Sequence, residues 1–129
     1  MPVVRIDMYK GRSAAEKKMI LDAVHDALVE ALGIPDDDRT QMINEYDPEH
    51  FERKTGRSEA FLMIEISLFA GRPREVKKRL YGLITGKLST AAGIAPSDVM
   101  ICYNEQPREN WGINGLPADE IDFGYRIER

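Results

Sequence analysis

Two stretches of the sequence, YKGRSAAEKK at residues 9–18 and FAGRPREVKK at residues 69–78, follow the same pattern. In each, one residue separates an aromatic residue from Gly-Arg, and four residues separate the arginine from a pair of lysines. The two stretches lie 60 residues apart. A chain that repeats a motif at a fixed distance is expected to contain two copies of one structural unit.

A gapless shift of 60 residues extends the match far beyond these two stretches. The matched positions include apolar, glycine, charged and aromatic residues. They include Ile6/Ile66, Gly11/Gly71, Arg12/Arg72, Lys17/Lys77, Leu28/Leu88, Gly33/Gly93, Asp38/Asp98, Asn44/Asn104 and Phe51/Trp111. One register kept over so long a span indicates an internal duplication. We therefore predict one domain over 1–129, with repeat units over about 2–51 and 62–111 and a C-terminal tail over 112–129.

Each repeat unit has the pattern of a strand, a helix and a second strand. Short apolar or alternating segments open and close each unit, and apolar residues at helical spacing lie between them. We expect helices over about 14–32 and 74–92. Ser13 is a suitable N-cap for the first helix, and Gly33 and Gly93 stand where a helix-terminating glycine belongs. Helices of this length can connect parallel strands.

The predicted fold class is α+β. Two tandem β-α-β units, related by pseudo-two-fold symmetry, would form a four-stranded sheet with two helices on one face. The polar residues 52–60 are the expected linker between the units. In the tail, NWGINGLP indicates a turn, and IDFGYRI at 121–127 is a possible edge strand.

Composition excludes several classes of protein. The 129 residues are 43% hydrophobic and 31% charged, as in an ordinary globular domain. A net charge of −4 argues against a nucleic-acid partner. The single cysteine cannot form an intrachain disulfide or a cysteine-rich zinc site. We find no apolar run near ~20 residues and no signal-peptide pattern, so we expect a cytoplasmic protein with no membrane partner.

Pro2 breaks the repetition in a chemically informative way. If the first strands of the two units are antiparallel neighbours, Pro2 lies near Gly71 and Arg72. Its repeat mate Leu62 then lies near the equivalent Arg12. Removal of Met1 would expose a secondary amine at Pro2, and burial and a nearby guanidinium would bring its pKa toward neutrality. The alternative is that Pro2 is merely the residue after Met1.

These residues resemble the tautomerase superfamily. The matching features are MP opening the first strand, GR ending it, and a duplicated β-α-β unit similar to fused members such as the malonate semialdehyde decarboxylase branch. The resemblance implies that the amino-terminal proline is the general base or acid. It also implies that an arginine at the end of the second unit's first strand binds the substrate carboxylate. These positions are Pro2 and Arg72.

The resemblance suggests three further site residues. Asp38 matches an aspartate of the decarboxylase branch, but a turn role is equally open because Asp98 stands in the other repeat. GRPR at 71–74 is similar to that branch's arginine pair, which makes Arg74 a second candidate for the carboxylate. However, when the second helix is aligned with that of the decarboxylase branch, Arg72 falls on the second arginine of the pair. Trp111 would form an apolar wall of the pocket or belong to the core.

The leading functional hypothesis is a keto–enol tautomerase that acts on a small carboxylate substrate, a 2-oxo acid, without a metal or a cofactor. Pro2 would transfer the proton while Arg72 holds the carboxylate. One alternative is a decarboxylase or hydratase of the malonate semialdehyde type, and another is a non-catalytic binding protein on the same fold. Fused members of the family are trimers, so we expect a homotrimer.

Overall fold

The computed structural model describes residues 1–125 and 127, which form two β-α-β units and a short tail. The elements of the first unit are β1 (Val3–Tyr9), α1 (Ala14–Leu32) and β2 (Thr40–Tyr46). Those of the second are β3 (Leu62–Phe69), α2 (Arg74–Ala92) and β4 (Val99–Gln106). The tail contains a hairpin of β5 (Gly112–Ile113) and β6 (Leu116–Pro117). The predicted element order and fold class are confirmed.

The four long strands form one sheet in the order β2-β1-β3-β4. Pairing within each unit is parallel, and β1 and β3 are antiparallel at the centre. In this central pair Arg5 lies opposite Glu65, which is its own repeat mate 60 residues later. The pseudo-two-fold axis therefore passes between these two residues, and each end of β1 lies beside the opposite end of β3.

The glycine of each Gly-Arg pair and the first lysine of each Lys-Lys pair have structural explanations. Gly11 and Gly71 have φ angles of 131° and 129°, a region that residues with a Cβ rarely adopt, so glycine is needed at each strand-to-helix turn. The first lysine of each pair binds the end of the unit's second strand. Lys17 Nζ lies 3.1 Å from a Glu45 oxygen and Lys77 Nζ lies 3.0 Å from a Glu105 oxygen.

Helix ends agree with the predicted signals. Ser13 and Glu16 form a reciprocal capping box at the start of α1. Gly33 and Gly93 terminate the helices in the left-handed conformation. Pro73, which has no N–H to satisfy, is the N-cap of α2. Among the described residues, no helix is long and apolar enough to cross a membrane.

Both helices cover the same face of the sheet. Alternate residues of β3, namely Leu62, Ile64, Ile66 and Leu68, are fully buried against the helices. The residues between them lie on the opposite face, where Met63 pairs across strands with Met100 and Glu65 with Cys102. That uncovered face mixes sulfur-containing and charged side chains, and the Met100 side chain is 49% exposed.

The prediction of an edge strand over 121–127 is wrong, because the described residues 121–125 and 127 do not form a strand. Arg126 lies outside the described residues. The Asp122 carboxylate accepts a hydrogen bond from the Gly124 N–H at 2.9 Å, and Gly124 has a φ of 76°. This local turn is incompatible with an extended strand. Phe123 instead packs on Phe69, with ring centroids 5.2 Å apart.

Because the two helices have equivalent positions in the core, equivalent substitutions in them should lower the free energy of unfolding by similar amounts. Leu28 and Leu88 are repeat mates on the two helices, and their side chains are 1% and 0% exposed. We expect Leu28→Ala and Leu88→Ala each to lower the free energy of unfolding by about 2–5 kcal/mol, measured by urea denaturation. Met19→Ala, at a position that is 45% exposed, is the control and should change it by about 0.5 kcal/mol or less. Loss of stability in only one leucine variant would contradict the symmetric core.

Candidate active site

The amino terminus lies among polar groups at one end of the central strand pair. The Met1 amine donates a hydrogen bond to the Tyr125 hydroxyl at 2.7 Å and lies 3.7 Å from Asp38 Oδ2. Consecutive backbone nitrogens are three bonds apart, so the Pro2 nitrogen lies within about 4 Å of the Met1 nitrogen. We call the group formed by Met1, Pro2, Asp38, Arg72 and Tyr125 the Arg72 corner.

The environment of the Arg72 corner favours an unprotonated amine. The pKa of the Met1 ammonium falls from 8.0 to about 6, chiefly because burial penalises the charged form. The Asp38 carboxylate opposes this fall through its charge and a hydrogen bond, and the Arg72 and Arg108 guanidinium groups reinforce it. An amine whose pKa lies near neutrality can accept and return a proton under physiological conditions.

Arg72 is buried with most of its hydrogen-bonding capacity unused. Its side chain is 5% exposed, and Nη1 makes one long contact, 3.4 Å, to the Phe69 carbonyl. Nε and Nη2 are buried and find no acceptor in residues 1–125 and 127. Each buried donor without a partner costs about 1–3 kcal/mol. These donors form the planar fork that recognises a carboxylate.

Two tyrosines that the sequence analysis missed surround this guanidinium. Burial raises the pKa of Tyr103 and that of Tyr125, and the nearby Arg72 charge opposes the rise in both. Asp38 raises the pKa of Tyr125 further. Both phenols therefore stay protonated and can donate hydrogen bonds to an anion held at Arg72.

Arg108 fixes the tail over this corner. Its Nη2 donates to the carbonyls of Ala118 at 3.1 Å and Ile121 at 3.0 Å. Its guanidinium lies 5.6 Å from the ring centroid of Phe69 and 5.4 Å from that of Phe123. The repeat mate of Arg108 is Pro48, so this break in the repetition was a usable sequence signal.

Trp111 contributes to an apolar group beside the amine. Phe69, Ala118 and Ile127 form a small buried cluster, separate from the main core, and Met1, Trp111, Phe123 and Tyr125 pack against it. The Trp111 ring meets Phe69 edge-on with centroids 5.4 Å apart. The two roles considered for Trp111, packing and lining the site, are thus compatible in this position.

In the equivalent corner of the other repeat, the chain itself supplies partners for the charged groups. We call this second corner the Arg12 corner. Arg12 Nη2 donates to the Ala60 carbonyl at 2.8 Å, so its guanidinium has an internal acceptor. The Asp98 carboxylate accepts two 2.6 Å hydrogen bonds from Ser58, one from the N–H and one from the hydroxyl. Phe61, the repeat mate of Met1, is 5% exposed. Arg12 and Asp98 therefore have structural partners.

Arg74 does not join the Arg72 corner. It is the first residue of α2, its side chain is 81% exposed, and it pairs with the adjacent Glu75 at 3.2 Å. Arg72 precedes the N-cap and is buried, so two arginines only two positions apart have different surroundings. The candidate role of Arg74 in substrate binding finds no supporting contact in the described part of the chain.

Comparisons with known proteins agree with this geometry. Two models described as tautomerase enzyme match the chain, one over residues 38–114 and the other over residues 2–55. Probable tautomerase YrdN of Bacillus subtilis is 30% identical, over 88% of this chain and 91% of its own length. The chain therefore belongs to the tautomerase family, and it is an enzyme of the isomerase class.

Solved structures place it near the fused members of this family. FG41 malonate semialdehyde decarboxylase is 38% identical, with a TM-score of 0.80 over 87% of this chain and 88% of that one. The Q0 fused 4-OT, a symmetric trimer, is 26% identical, with a TM-score of 0.79 over 91% of this chain and 96% of that one. The predicted resemblance to the fused tautomerases is confirmed.

The surroundings of the amine predict opposite effects of two substitutions. In protein that retains Met1, Asp38→Asn should lower the amine pKa further, because a group that favours the ammonium is lost. Arg72→Gln should raise it, because a repelling charge is lost. Nuclear magnetic resonance titration of 13C-labelled Met1 measures both values.

Arg12→Gln is the matched control, since Arg12 is the repeat mate of Arg72 and belongs to the other corner. It should leave the amine pKa unchanged. Equal titration midpoints in all three variants and the unsubstituted protein would show that Asp38 and Arg72 do not act on the amine.

Proposed function

We propose that this protein is a cofactor-independent keto–enol tautomerase of small 2-oxo acids, with Pro2 as the general base and acid after removal of Met1. The proposal is supported chiefly by one observation. In the described part of the chain, a buried guanidinium with two unpartnered donors lies beside the Met1 amine, whose pKa is lowered and which adjoins the Pro2 nitrogen. A carboxylate binder and a proton carrier in one small site are what an enolising 2-oxo acid requires.

In the proposed reaction, the Arg72 fork binds the substrate carboxylate and places the enol next to the Pro2 nitrogen. Pro2 takes the proton from the enol oxygen, and the resulting enolate is stabilised by the Arg72 charge and the phenol of Tyr103 or Tyr125. The protonated Pro2 then gives the proton to carbon 3, which yields the 2-oxo acid and restores the free amine.

Asp38 and Trp111 have supporting roles in this proposal. The Asp38 carboxylate, which is 14% exposed, favours the protonated amine and holds it in place. These contacts are those of the Met1 amine, and we infer that Asp38 acts on the Pro2 amine in the same direction once Met1 is removed. Trp111 closes the apolar side of the site through its contact with Phe69. Arg74 would act only at the surface, because its side chain is 81% exposed.

A second candidate is a decarboxylase or hydratase of the malonate semialdehyde type. Two observations favour it: the 38% identity to FG41 malonate semialdehyde decarboxylase, and the position of Asp38 3.7 Å from the amine. Its substrate is also a small oxo acid that a carboxylate-binding arginine could hold. Carbon dioxide release from malonate semialdehyde distinguishes it from tautomerisation. Family membership weighs against the third possibility, a non-catalytic binding protein.

We further propose that residues 1–129 act as one cytoplasmic domain that assembles as a homotrimer. The uncovered sheet face, with Met63, Met100 and Cys102, offers half-buried or exposed apolar surface for subunit contacts. The Q0 fused 4-OT is a symmetric trimer. This assembly would leave the helices outside.

Substitutions at the two corners separate the catalytic from the structural arginine. Pro2→Ala should lower kcat/KM for phenylenolpyruvate ketonisation by about 10²–10⁴-fold, because the tuned base is lost. Arg72→Gln should lower it by about 10²-fold or more, because charge stabilisation of the enolate is lost. Both are measured by ultraviolet absorbance on protein whose intact mass shows that Met1 is absent.

Arg12→Gln is the matched control and should retain nearly full activity, provided that circular dichroism shows a folded protein. An equal loss in Arg12→Gln and Arg72→Gln would contradict the assignment of the site to one corner. Absence of ketonisation in the demethionylated protein would remove the main support for a tautomerase.

The trimer is tested by sedimentation equilibrium. We expect about three times the 14.6 kDa mass of one chain. Met100→Glu, which puts a charge on the uncovered face, should weaken the assembly, whereas Met19→Glu on the helix side should not. A stable monomer at micromolar concentration would contradict the proposed assembly.

A further inference from the structure

Two adjoining surface cavities lie at the Arg12 corner. One, of about 360 Å³, is lined in part by Arg12, its neighbour Lys10 and the linker residue Arg53. The other, of about 520 Å³, is lined chiefly by residues 51–57. Both cavities share Tyr9, Pro48 and Arg53, and we call the two together the linker pocket. Cavities of this volume are typical of sites for small ligands.

The lining of the linker pocket is positive, although the chain as a whole is not. Five cations and two carboxylates line the pocket, whereas the net charge of the chain is −4. The cations are Lys10, Arg12, Arg53, Lys54 and Arg57, and the carboxylates are Glu52 and Glu59. Lys10 is paired with Asp47, 3.1 Å away. A concave surface with an excess of one charge attracts small ions of the opposite charge.

Four of these five cations break the repetition of the chain. Arg12 has an arginine, Arg72, as its repeat mate. The residues that stand 60 positions after the other four cations are Ala70, Ile113, Asn114 and Pro117. The shared β-α-β architecture therefore does not require a cation at these four positions.

Backbone carbonyls, rather than carboxylates, hold the three arginines in place. Arg12 Nη2 donates to the Ala60 carbonyl at 2.8 Å, and Arg53 Nε donates to the Arg57 carbonyl at 3.1 Å. Arg57 Nη1 donates to the Ser97 carbonyl at 2.8 Å. None of the three forms an ion pair with a carboxylate in the described part of the chain. Each guanidinium is thus positioned by one nitrogen and keeps its charge and other donors for a ligand.

The carboxylates whose charges act on Arg12 have hydrogen-bond donors of their own. Asp98 accepts two 2.6 Å hydrogen bonds from Ser58. Glu16 accepts a 3.1 Å hydrogen bond from the Ser13 N–H. These two carboxylates offset part of the positive charge, but they do not supply acceptors to the guanidinium. An acceptor for its remaining donors has to come from outside the chain.

We propose that the linker pocket binds a small phosphate monoester, at a site separate from the Arg72 corner. A phosphate group carries a charge of about −1.5 to −2 near pH 7, and its three oxygens can accept from the turn and the linker together. A carboxylate is satisfied by a single guanidinium fork. The rings of Tyr9 and Phe51, 4.9 Å apart, line the pocket and contact the organic part of the ligand. Phe61 stands where the other corner has Met1, so no terminal amine is present and the ligand is bound without conversion.

Nuclear magnetic resonance titration of the 15N-labelled protein tests this site directly. The amide signals of Gly11 and Gly56, which line the two cavities, report binding at the linker pocket alone. The probes are phenyl phosphate, inorganic phosphate and benzoate. We expect phenyl phosphate to shift both signals and to bind about tenfold or more tightly than benzoate, because the phosphate contacts several cations. Inorganic phosphate should shift the same signals and bind more weakly than phenyl phosphate.

Matched variants separate this pocket from the Arg72 corner. Arg12→Gln and Arg53→Gln should each weaken phenyl phosphate binding at Gly11 and Gly56 about tenfold or more. Arg72→Gln, the repeat mate of the first variant, should leave this binding unchanged. Lys54 is exposed, so Lys54→Gln should leave the fold intact and weaken binding about two- to fivefold.

Three results would overturn the inference: no shift of Gly11 and Gly56, equal affinity for benzoate, or an equal loss of affinity in Arg72→Gln. Inorganic phosphate that binds as tightly as phenyl phosphate would overturn the role given to Tyr9 and Phe51. The titration does not depend on turnover, so its outcome is independent of the proposed tautomerase activity.

Discussion

β1 and β3 lie antiparallel at the centre of the sheet, with Arg5 opposite Glu65, the residue that stands 60 positions later. This register places the start of β1 at the end of β3, so the chain terminus meets the turn that carries Arg72. A register shift of one residue would turn the fully buried side chains of β3 to the uncovered face. Burial of the opposite face of β3 against both helices therefore also fixes the position of the Met1 amine.

The two corners created by this pairing are equivalent in backbone and different in chemistry. The Arg12 corner receives an unbroken chain, whose Ser58 and Ala60 satisfy Asp98 and Arg12. The Arg72 corner receives the Met1 amine, and Nε and Nη2 of Arg72 have no partner in residues 1–125 and 127. Burying such donors without partners costs stability, and a bound carboxylate would recover that cost. Duplication builds the corner twice, and in one copy the chain itself supplies the hydrogen-bond partners.

Much of this arrangement could be predicted from the sequence because the information was local or repeated. Short-range patterns indicate the Ser13 cap and the glycines at the helix ends. The 60-residue register follows from the repetition. The tail could not be predicted in the same way, because it has no second copy and its path depends on tertiary contacts. Tyr125 was missed for this reason, and the turn at Gly124 replaced an expected strand. Arg108 lies in the second repeat unit, where its difference from Pro48 was a signal that the sequence analysis did not use. The candidate role of Arg74 depended on its spacing from Arg72, but spacing does not reveal that one arginine is buried and the other exposed.

The central claim is that one reactive amine and one carboxylate-binding arginine share the corner where the repetition breaks. The most direct test is peptide mass spectrometry after treatment of the demethionylated protein with 2-oxo-3-pentynoate. An amine adds to the alkyne of this reagent without a leaving group, so each labelled amine gains the full mass of the reagent. We expect a single adduct per chain on Pro2, formed at least tenfold more slowly in Arg72→Gln and at an unchanged rate in Arg12→Gln. Labelling of surface lysines at the same rate as Pro2, or equal Pro2 labelling in both arginine variants, would contradict the claim.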